Sequence, residues 1–498
     1  MTFPLLSLLL FIPLAGAIIT LFMGGSREKY AKFVAIVTAT VTLGLAIFAL
    51  TIDSSKYADF DESFVWIKAA GLQMNYALHI DGLSILMVFL TALLVFVVAI
   101  FSFEEKDRPN YFHTLILAME VGLMGVYLSA DYFLFYIMWE VTLIPMYFLI
   151  SWYGGPRRHY SAIKFFIYTH VASLVMLIGI FALVFTAANG GVADFSFAAV
   201  SAGIAAHASA VFQSLVFGLL FFGFIVKMPI VPFHTWLPDA HVEAPTAGSV
   251  LLAGVMLKMG SYGIIRICLG TFSYDVLHDW QMVMVVLGII SMIYGAYACI
   301  AQSDLKKMVA YSSISHMGMV LLGIGCLSQT GVEFATFQMF AHGLITAVLF
   351  MVCGLAGHNI GTREIPLLGG LAGKLPHWAF FMMFGFMASL GLPGLVGFVA
   401  EFGILYAFWD VLAIKGGVYI FLIAAGMLSM MLTAGYYLWA MQRTLFGDTT
   451  DRIDLEHAHD VSKCEFAALA IMVCLIALFG IWPSLATDYI VTFTGGLF

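Results

Sequence analysis

Long apolar blocks alternate with short polar connections from one end of this chain to the other. The blocks fall approximately at 4–23, 31–51, 79–103, 111–130, 132–152, 161–187, 208–229, 246–268, 280–301, 308–327, 331–356, 378–409, 417–445 and 464–487. Each meets the ~20 residues a helix needs to cross ~30 Å of hydrocarbon, and the ten-residue alternation of an outer-membrane barrel is missing. The pattern predicts an all-α integral membrane protein of about fourteen transmembrane helices. The longest connections, 52–78, 230–245, 357–377 and 446–463, leave no soluble domain of any size. The first block lacks a basic segment before it and is long enough to span, so it reads as a retained helix rather than a cleaved signal.

Composition agrees with the pattern. Of 498 residues, 62% are hydrophobic and 10% charged, against roughly 25% charged in a soluble globule. The six cysteines are scattered, without C-x-x-C spacing, and read as small packing residues rather than disulfides, iron–sulfur ligands or haem anchors. The net charge of −8 arises from acidic patches at Asp53 to Glu62 and Asp448 to Asp460. No basic stripe with interleaved aromatics points to nucleic acid. Lys and Arg divide unevenly: fourteen, from Arg27 to Lys463 and including Arg452, fall in alternate loops, whereas Lys56, Lys68, Arg266 and Lys415 fall in the others. By the positive-inside rule both termini face the periplasm or its equivalent.

Two blocks are interrupted. The seventh ends in "KMPIVPFHTWLPDAH" and the twelfth contains "LGLPGLVGFVAEFG", five spans later, each with a charge beside the break. Paired interruptions point to an internal duplication, and an odd-numbered repeat must insert in opposite orientations. This predicts N-terminal helices over 1–110 (spans one to three), inverted five-helix repeats over 111–268 (spans four to eight) and 280–445 (spans nine to thirteen), and a C-terminal helix over 464–498.

Several ionisable residues lie inside the spans, where a charge costs at least ~2.5 kcal/mol and tends to face a bundle interior or water. Glu140 lies near the middle of span five, Lys227 at the break of span seven, Lys258 in the middle of span eight, His316 and His342 in spans ten and eleven, and Glu401 just after the break of span twelve. Glu120 and Lys164 lie in spans four and six. Such a series suggests a proton path in which moving Glu140 toward or away from Lys227 switches whether the lysine keeps its proton. Pro229 and Pro232 free backbone carbonyls that survive only against protein or water, so the break supplies a hydrated joint beside Lys227. Structural readings stand beside the functional ones: Lys164 snorkelling from its span end, Glu140 as an ion-pair partner only, Glu120, His316 and His342 as satisfied core residues, His234 and His241 as helix caps.

Three function classes compete: a proton-translocating subunit or antiporter, a cytochrome b-like electron carrier, and a passive scaffold. The carrier needs stacked His pairs, and the scaffold does not explain charges kept in lipid.

"FIVKMPIVPFHTWLPDAHVEAPTAGSVLLAGVMLKMGSYGIIR" and "QSDLKKMVAYSSISHMGMV", with "LFYIMWEVTLIPMYFLI", "AHGLITAVLF" and "GLVGFVAEF", resemble the antiporter-like subunits of bacterial NADH-quinone oxidoreductase, respiratory complex I, and among them the M type, whose mitochondrial counterpart is chain 4. The resemblance implies fourteen helices in two inverted repeats and a proton-pumping membrane subunit driven by redox chemistry elsewhere. It implies no cofactor in this chain, with FMN, iron–sulfur clusters and quinone in partner subunits. It also implies L and N chains as neighbours and a place in the bacterial inner membrane. By that resemblance Glu140, Lys227, Lys258, His316, His342 and Glu401 carry proton transfer, and Glu104 matches a further acidic position. Glu401, where L chains carry lysine, and the lack of lysine in "AHGLITAVLF" favour M over L, as does the expected lack of the lateral helix that L chains add. The D-type subunit of a multi-subunit Na⁺/H⁺ antiporter is the alternative.

Overall fold

The computed structural model describes residues 4–448 and 458–497; Arg452 and most of the second acidic patch lie outside them. Chain order is α1 Leu5–Leu21, α2 Ala31–Leu50, strands β1 Glu62–Ala69 and β2 Leu72–Leu78, then α3 Gly82–Phe101, α4 Pro109–Leu128, α5 Tyr132–Tyr153 and α6 Arg158–Ala188. The short strand β3 Ala193–Asp194 precedes α7 Phe197–His207, α8 Ala210–Lys227, α9 Trp236–Glu243 and α10 Thr246–Leu269. There follow α11 Tyr274–Ile300, α12 Leu305–Gly325, α13 Gln329–Leu355, α14 Pro376–Ser389, α15 Val396–Val411, α16 Val418–Leu445, α17 Lys463–Ile481 and α18 Ser484–Thr494. Among the described residues 13 helices are long and apolar enough to span a membrane, and α1, at 17 residues, is a shorter apolar helix.

Span twelve breaks as its Pro- and Gly-containing stretch predicts, and the last block is divided as well. Span twelve is two half-helices, α14 and α15, separated at Leu390–Leu395, where Gly391 and Gly394 take φ of 79° and 94°, a left-handed backbone that glycine adopts without Cβ strain. The last block splits into α17 and α18 at Pro483, whose ring and missing N–H cannot continue a helix.

The helices form shells. In α3, α10, α12 and α13 between 89% and 94% of the apolar window is buried, against 22% in α16 and 33% in α2 and α17. Lys258, His316 and His342 therefore sit on enclosed helices. Close packing of α10 needs small residues: a Cβ on Gly260 would run into the carbonyl of Phe224 on α8, and one on Gly263 into the Phe224 ring.

The all-α expectation needs one addition, a three-stranded sheet ordered β1-β2-β3. The hairpin register pairs Ala69 with Leu72, leaving a two-residue turn in which Ala70 and Gly71 have φ of 53° and 81°. Positive φ at both turn positions matches the twist of the flanking strands. Behind the hairpin, Asp81 caps α3 through the Leu83 and Ser84 amides and takes Arg266 of α10 in a two-pronged contact at 2.6 and 2.7 Å. His79 lies 2.8 Å from Asp61 and 3.7 Å from Asp81. Burial pushes the His79 imidazole down, but the two carboxylates outweigh it and hold it at about 9. Its stabilising contribution is thus fully present below the unfolded value near ~6.5 and is lost as pH rises through about 9. Thermal scans of the purified protein from pH 7 to 10 should show a falling midpoint, and His79→Gln should flatten that slope.

Candidate functional site

The seventh span breaks where the sequence places it. Helix α8 ends at Lys227, and residues 228–235 form an irregular joint before α9. Pro229 and Pro232 donate no amide there, and the polar groups that remain find partners off the helix ladder. The Val231 amide donates to Ser291 Oγ at 3.0 Å, the Ile230 amide to the Ile225 carbonyl at 2.9 Å, and the Trp236 indole to the Val226 carbonyl at 2.9 Å. Lys227 is 1% exposed and its Nζ has no hydrogen-bond partner. It lies over the rings of Trp139 and Phe165, 5.6 and 5.7 Å from their centroids, where cation–π attraction partly replaces the lost water.

Glu140, one residue after Trp139, turns the other way. Its Oε2 is 2.8 Å from Nδ1 of His170 on α6, and its Oε1 accepts from Ser173 Oγ. No ion pair joins it directly to Lys227, although it remains the carboxylate in electrostatic reach of that amine. Helix α5 is itself interrupted at Thr142, just beyond Glu140 and three residues before Pro145, which has no amide to donate back along the helix.

Helix α10 carries Lys258 between two wide-turn π stretches, Leu252–Met256 and Ile264–Leu269. Wider turns loosen the regular backbone ladder and recur at functional sites. Nearby carbonyls accept from side chains: that of Ala253 from Lys258 Nζ, and that of Val255 from the Tyr127 hydroxyl at 2.7 Å. Lys258 Nζ also lies 2.8 Å from Nδ1 of His342. The His342 and His316 rings meet at 5.3 Å between centroids, and His316 Nδ1 is 3.2 Å from Glu401 Oε1. Lys258, His342, His316 and Glu401 thus form one row across four helices, all at 5% exposure or less. From His316 Nε2 a side branch runs through Ser389 at 3.2 Å, on to Tyr437 at 2.8 Å and to Ser312 at 2.9 Å.

A cleft of about 720 Å³ opens where several connecting loops meet, lined by Glu243, Asp304, Lys306 and Arg363 among others. Lys306 is 2% exposed and donates to the Ala244 carbonyl at 2.6 Å. His241, in electrostatic reach of both Lys306 and Lys258, is stacked on Phe350 at 4.4 Å with neither ring nitrogen bonded. His234 packs edge-on against Tyr294 at 4.8 Å, so neither break histidine caps a helix. Lys164, partly exposed, pairs with Asp239 of α9 at 2.6 Å. Both oxygens of buried Glu120 lack a partner, and Glu104 lines a second cleft of about 320 Å³ with Glu105 and Glu465.

Sequence reasoning thus placed Lys258, His316, His342 and Glu401 correctly in the interior, and the fold brings them together. Glu140 and Lys227 lie near one another without touching. No sequence signal singles out Ser389 or Tyr437, and Lys306, which the sequence assigns to a loop, is buried. His170 and Ser173, one turn apart in "YTHVASL", carry the one signal that was available: two polar residues on one face of an apolar helix.

Comparison with known proteins gives a consistent picture. The family model described as "NADH:quinone oxidoreductase/Mrp antiporter, TM" matches residues 129–433. The F(420)H(2) dehydrogenase subunit M of Methanosarcina mazei is 42% identical over 98% of this chain and 97% of its own length. The NADH-quinone oxidoreductase subunit M of Rhodobacter capsulatus is 36% identical over 98% of this chain and 94% of its own length. Among solved structures, a chain of respiratory complex I from Thermus thermophilus superposes with a TM-score of 0.86 at 26% identity, covering 99% of this chain and 100% of that one.

Proposed function

The chain belongs to the NADH:quinone oxidoreductase/Mrp antiporter family of membrane subunits, and from that membership we propose that it moves protons across the membrane along the buried row, driven by electron transfer in companion subunits. It is an integral membrane protein and one part of a multi-subunit oxidoreductase complex. The observation that carries the reading is the buried row Lys258, His342, His316, Glu401, whose first three members stand on the most enclosed helices.

A proton can pass between groups within hydrogen-bond reach, ~2.6–3.2 Å, directly or through one water. The Lys258–His342 and His316–Glu401 contacts meet that limit. The ring-to-ring step between the histidines needs a rotation or a single water, and His342 Nε2 is free to take part. In this reading Lys227 loads and unloads under control of Glu140, Lys258 receives the proton, the histidines pass it on, and Glu401 gates release on the far side. The cleft beside Lys306 and His241 is the mouth toward the cytoplasm. Both termini lie on the opposite, periplasmic side of a bacterial inner membrane, in keeping with the loop distribution of Lys and Arg. Residues 111–268 and 280–445 are the inverted repeats, a reading supported by breaks at 228–235 and 390–395, each followed by a second helix.

The electron donor is a matter for other chains. The two relatives act, by their names, in complexes that oxidise different donors, F(420)H(2) and NADH, yet share this subunit over nearly its whole length. FMN, iron–sulfur clusters and quinone accordingly belong to partner subunits, and the flanking chains are antiporter-like L and N chains. A D-type Na⁺/H⁺ antiporter subunit is the weaker alternative, since the relatives named above are M subunits of dehydrogenase complexes. His342→Ala removes the middle of the row and should cut redox-driven acidification of inverted vesicles about fivefold or more. Electron transfer from the soluble arm to an artificial acceptor should be unaffected. Unchanged acidification would defeat the reading.

A further inference from the structure

The side chain that holds Glu140 is a residue that neither sequence motif nor charge pattern had singled out. His170 stacks on Phe166 at 5.3 Å with an interplanar angle of 17°, which fixes the imidazole edge toward Glu140. Ser173, one turn on, hydrogen-bonds both Glu140 and the His170 carbonyl, at 2.9 Å for the latter. The carboxylate therefore occupies a built seat of two donors on α6, while the amine of Lys227 has none. The other titratable groups facing this seat are Tyr136, one turn before Glu140 on α5, and Lys227 itself on α8.

We propose that His170 is a positioning residue that holds the Glu140 carboxylate away from Lys227, and that its protonation decides which of the two cations Glu140 serves. The inference rests on the reading of Glu140 and Lys227 given above. With a proton on the imidazole, the contact is a charge-assisted bond, roughly twice as strong as a neutral one. Glu140 then stays on α6. When His170 gives up that proton at its partly exposed edge, the pair is left with one negative charge and an ordinary hydrogen bond. The remaining cation in reach is Lys227. A glutamate side chain has enough rotatable bonds to swing between the two, and the interruption of α5 at Thr142 loosens the backbone beside it. Glu140 is thus neutralised by the imidazolium in the first position and by the ammonium of Lys227 in the second, and the proton that leaves through the partly exposed edge of His170 lowers the charge of the three-residue group by one.

Substitutions in the intact complex separate this device from a merely structural contact. His170→Arg supplies a cation that does not release its proton, and it should lock Glu140 outward and reduce coupled acidification about tenfold. His170→Gln keeps a neutral hydrogen bond without the lock and should reduce it only about two- to threefold. Redox-induced infrared difference spectra supply an independent signal: the carboxyl band that Glu140→Gln abolishes should shift in His170→Gln. Acidification in the arginine variant equal to or above that of the glutamine variant overturns the proposal, as does an unshifted band. If the arginine variant does not assemble, the infrared band decides alone. Full acidification in Glu140→Gln would instead defeat the underlying reading of Glu140. Loss there together with normal acidification in His170→Arg would defeat only the role of His170.

Discussion

Replacing Lys227 by alanine is expected to lower redox-driven proton pumping at least tenfold while the complex still assembles. Deletions of buried ion pairs usually destabilise because they strand a partner, at ~3–5 kcal/mol. Here no partner is stranded: the Nζ makes no hydrogen bond, and Glu140 is already held by His170 and Ser173. An isolated buried ammonium is itself costly, on the order of 2.5–3.5 kcal/mol in a membrane interior, so alanine should leave the melting point level or slightly higher. Function lost without stability lost is the signature of a group kept for chemistry. Lys227→Arg sharpens the test, since arginine keeps the charge but does not release its proton. Pumping in the arginine variant should fall as far as in the alanine one. Wild-type acidification in the arginine variant would make Lys227 a fixed charge, and wild-type acidification in the alanine variant would remove it from the mechanism.

Lys258→Met should be comparably severe, for a different physical reason. Lys258 is the first member of the row, bonded to the Ala253 carbonyl and to His342. Methionine fills a similar volume and is flexible enough to settle in an irregular interior, so packing of α10 against α8 should survive. The two contacts it breaks leave a carbonyl and an imidazole nitrogen unsatisfied at ~1–3 kcal/mol each, offset by removal of a buried charge. Near-normal stability is therefore expected together with at least a tenfold loss of acidification in inverted vesicles. Lys258→Arg should not rescue, because the bulkier fork has neither the space nor the ability to pass a proton on. Retained pumping in Lys258→Met would show that protons reach His342 by some other route.

The division between what was legible and what was not follows from two kinds of constraint. Hydrocarbon does not tolerate unpaired backbone or stray charge, so the order of apolar blocks, the Pro- and Gly-marked breaks at Lys227 and before Glu401, and the presence of Lys258, His316 and His342 in the interior were all written in the local sequence. Fold class and family followed from the same residues. The hairpin of Glu62–Leu78 escaped notice because the turn at Ala70 and Gly71 is short and its strands are embedded in a connection that otherwise reads as polar.

Partnership was decided by the tertiary structure alone. Glu140 reaches His170 across 30 residues, Lys164 reaches Asp239 across 75, and Lys258 reaches His342 across 84. Hydropathy assigns a residue to the membrane but carries no information about which helix face meets which. Those neighbours depend on close approach at small residues such as Gly260, on the wide turns of α10, and on the half-helices that bring Ser389 and Glu401 to the same histidine. The sequence thus determined which charges are buried, because burial is priced residue by residue; only packing over long separations determined where each of those charges finds its counterpart.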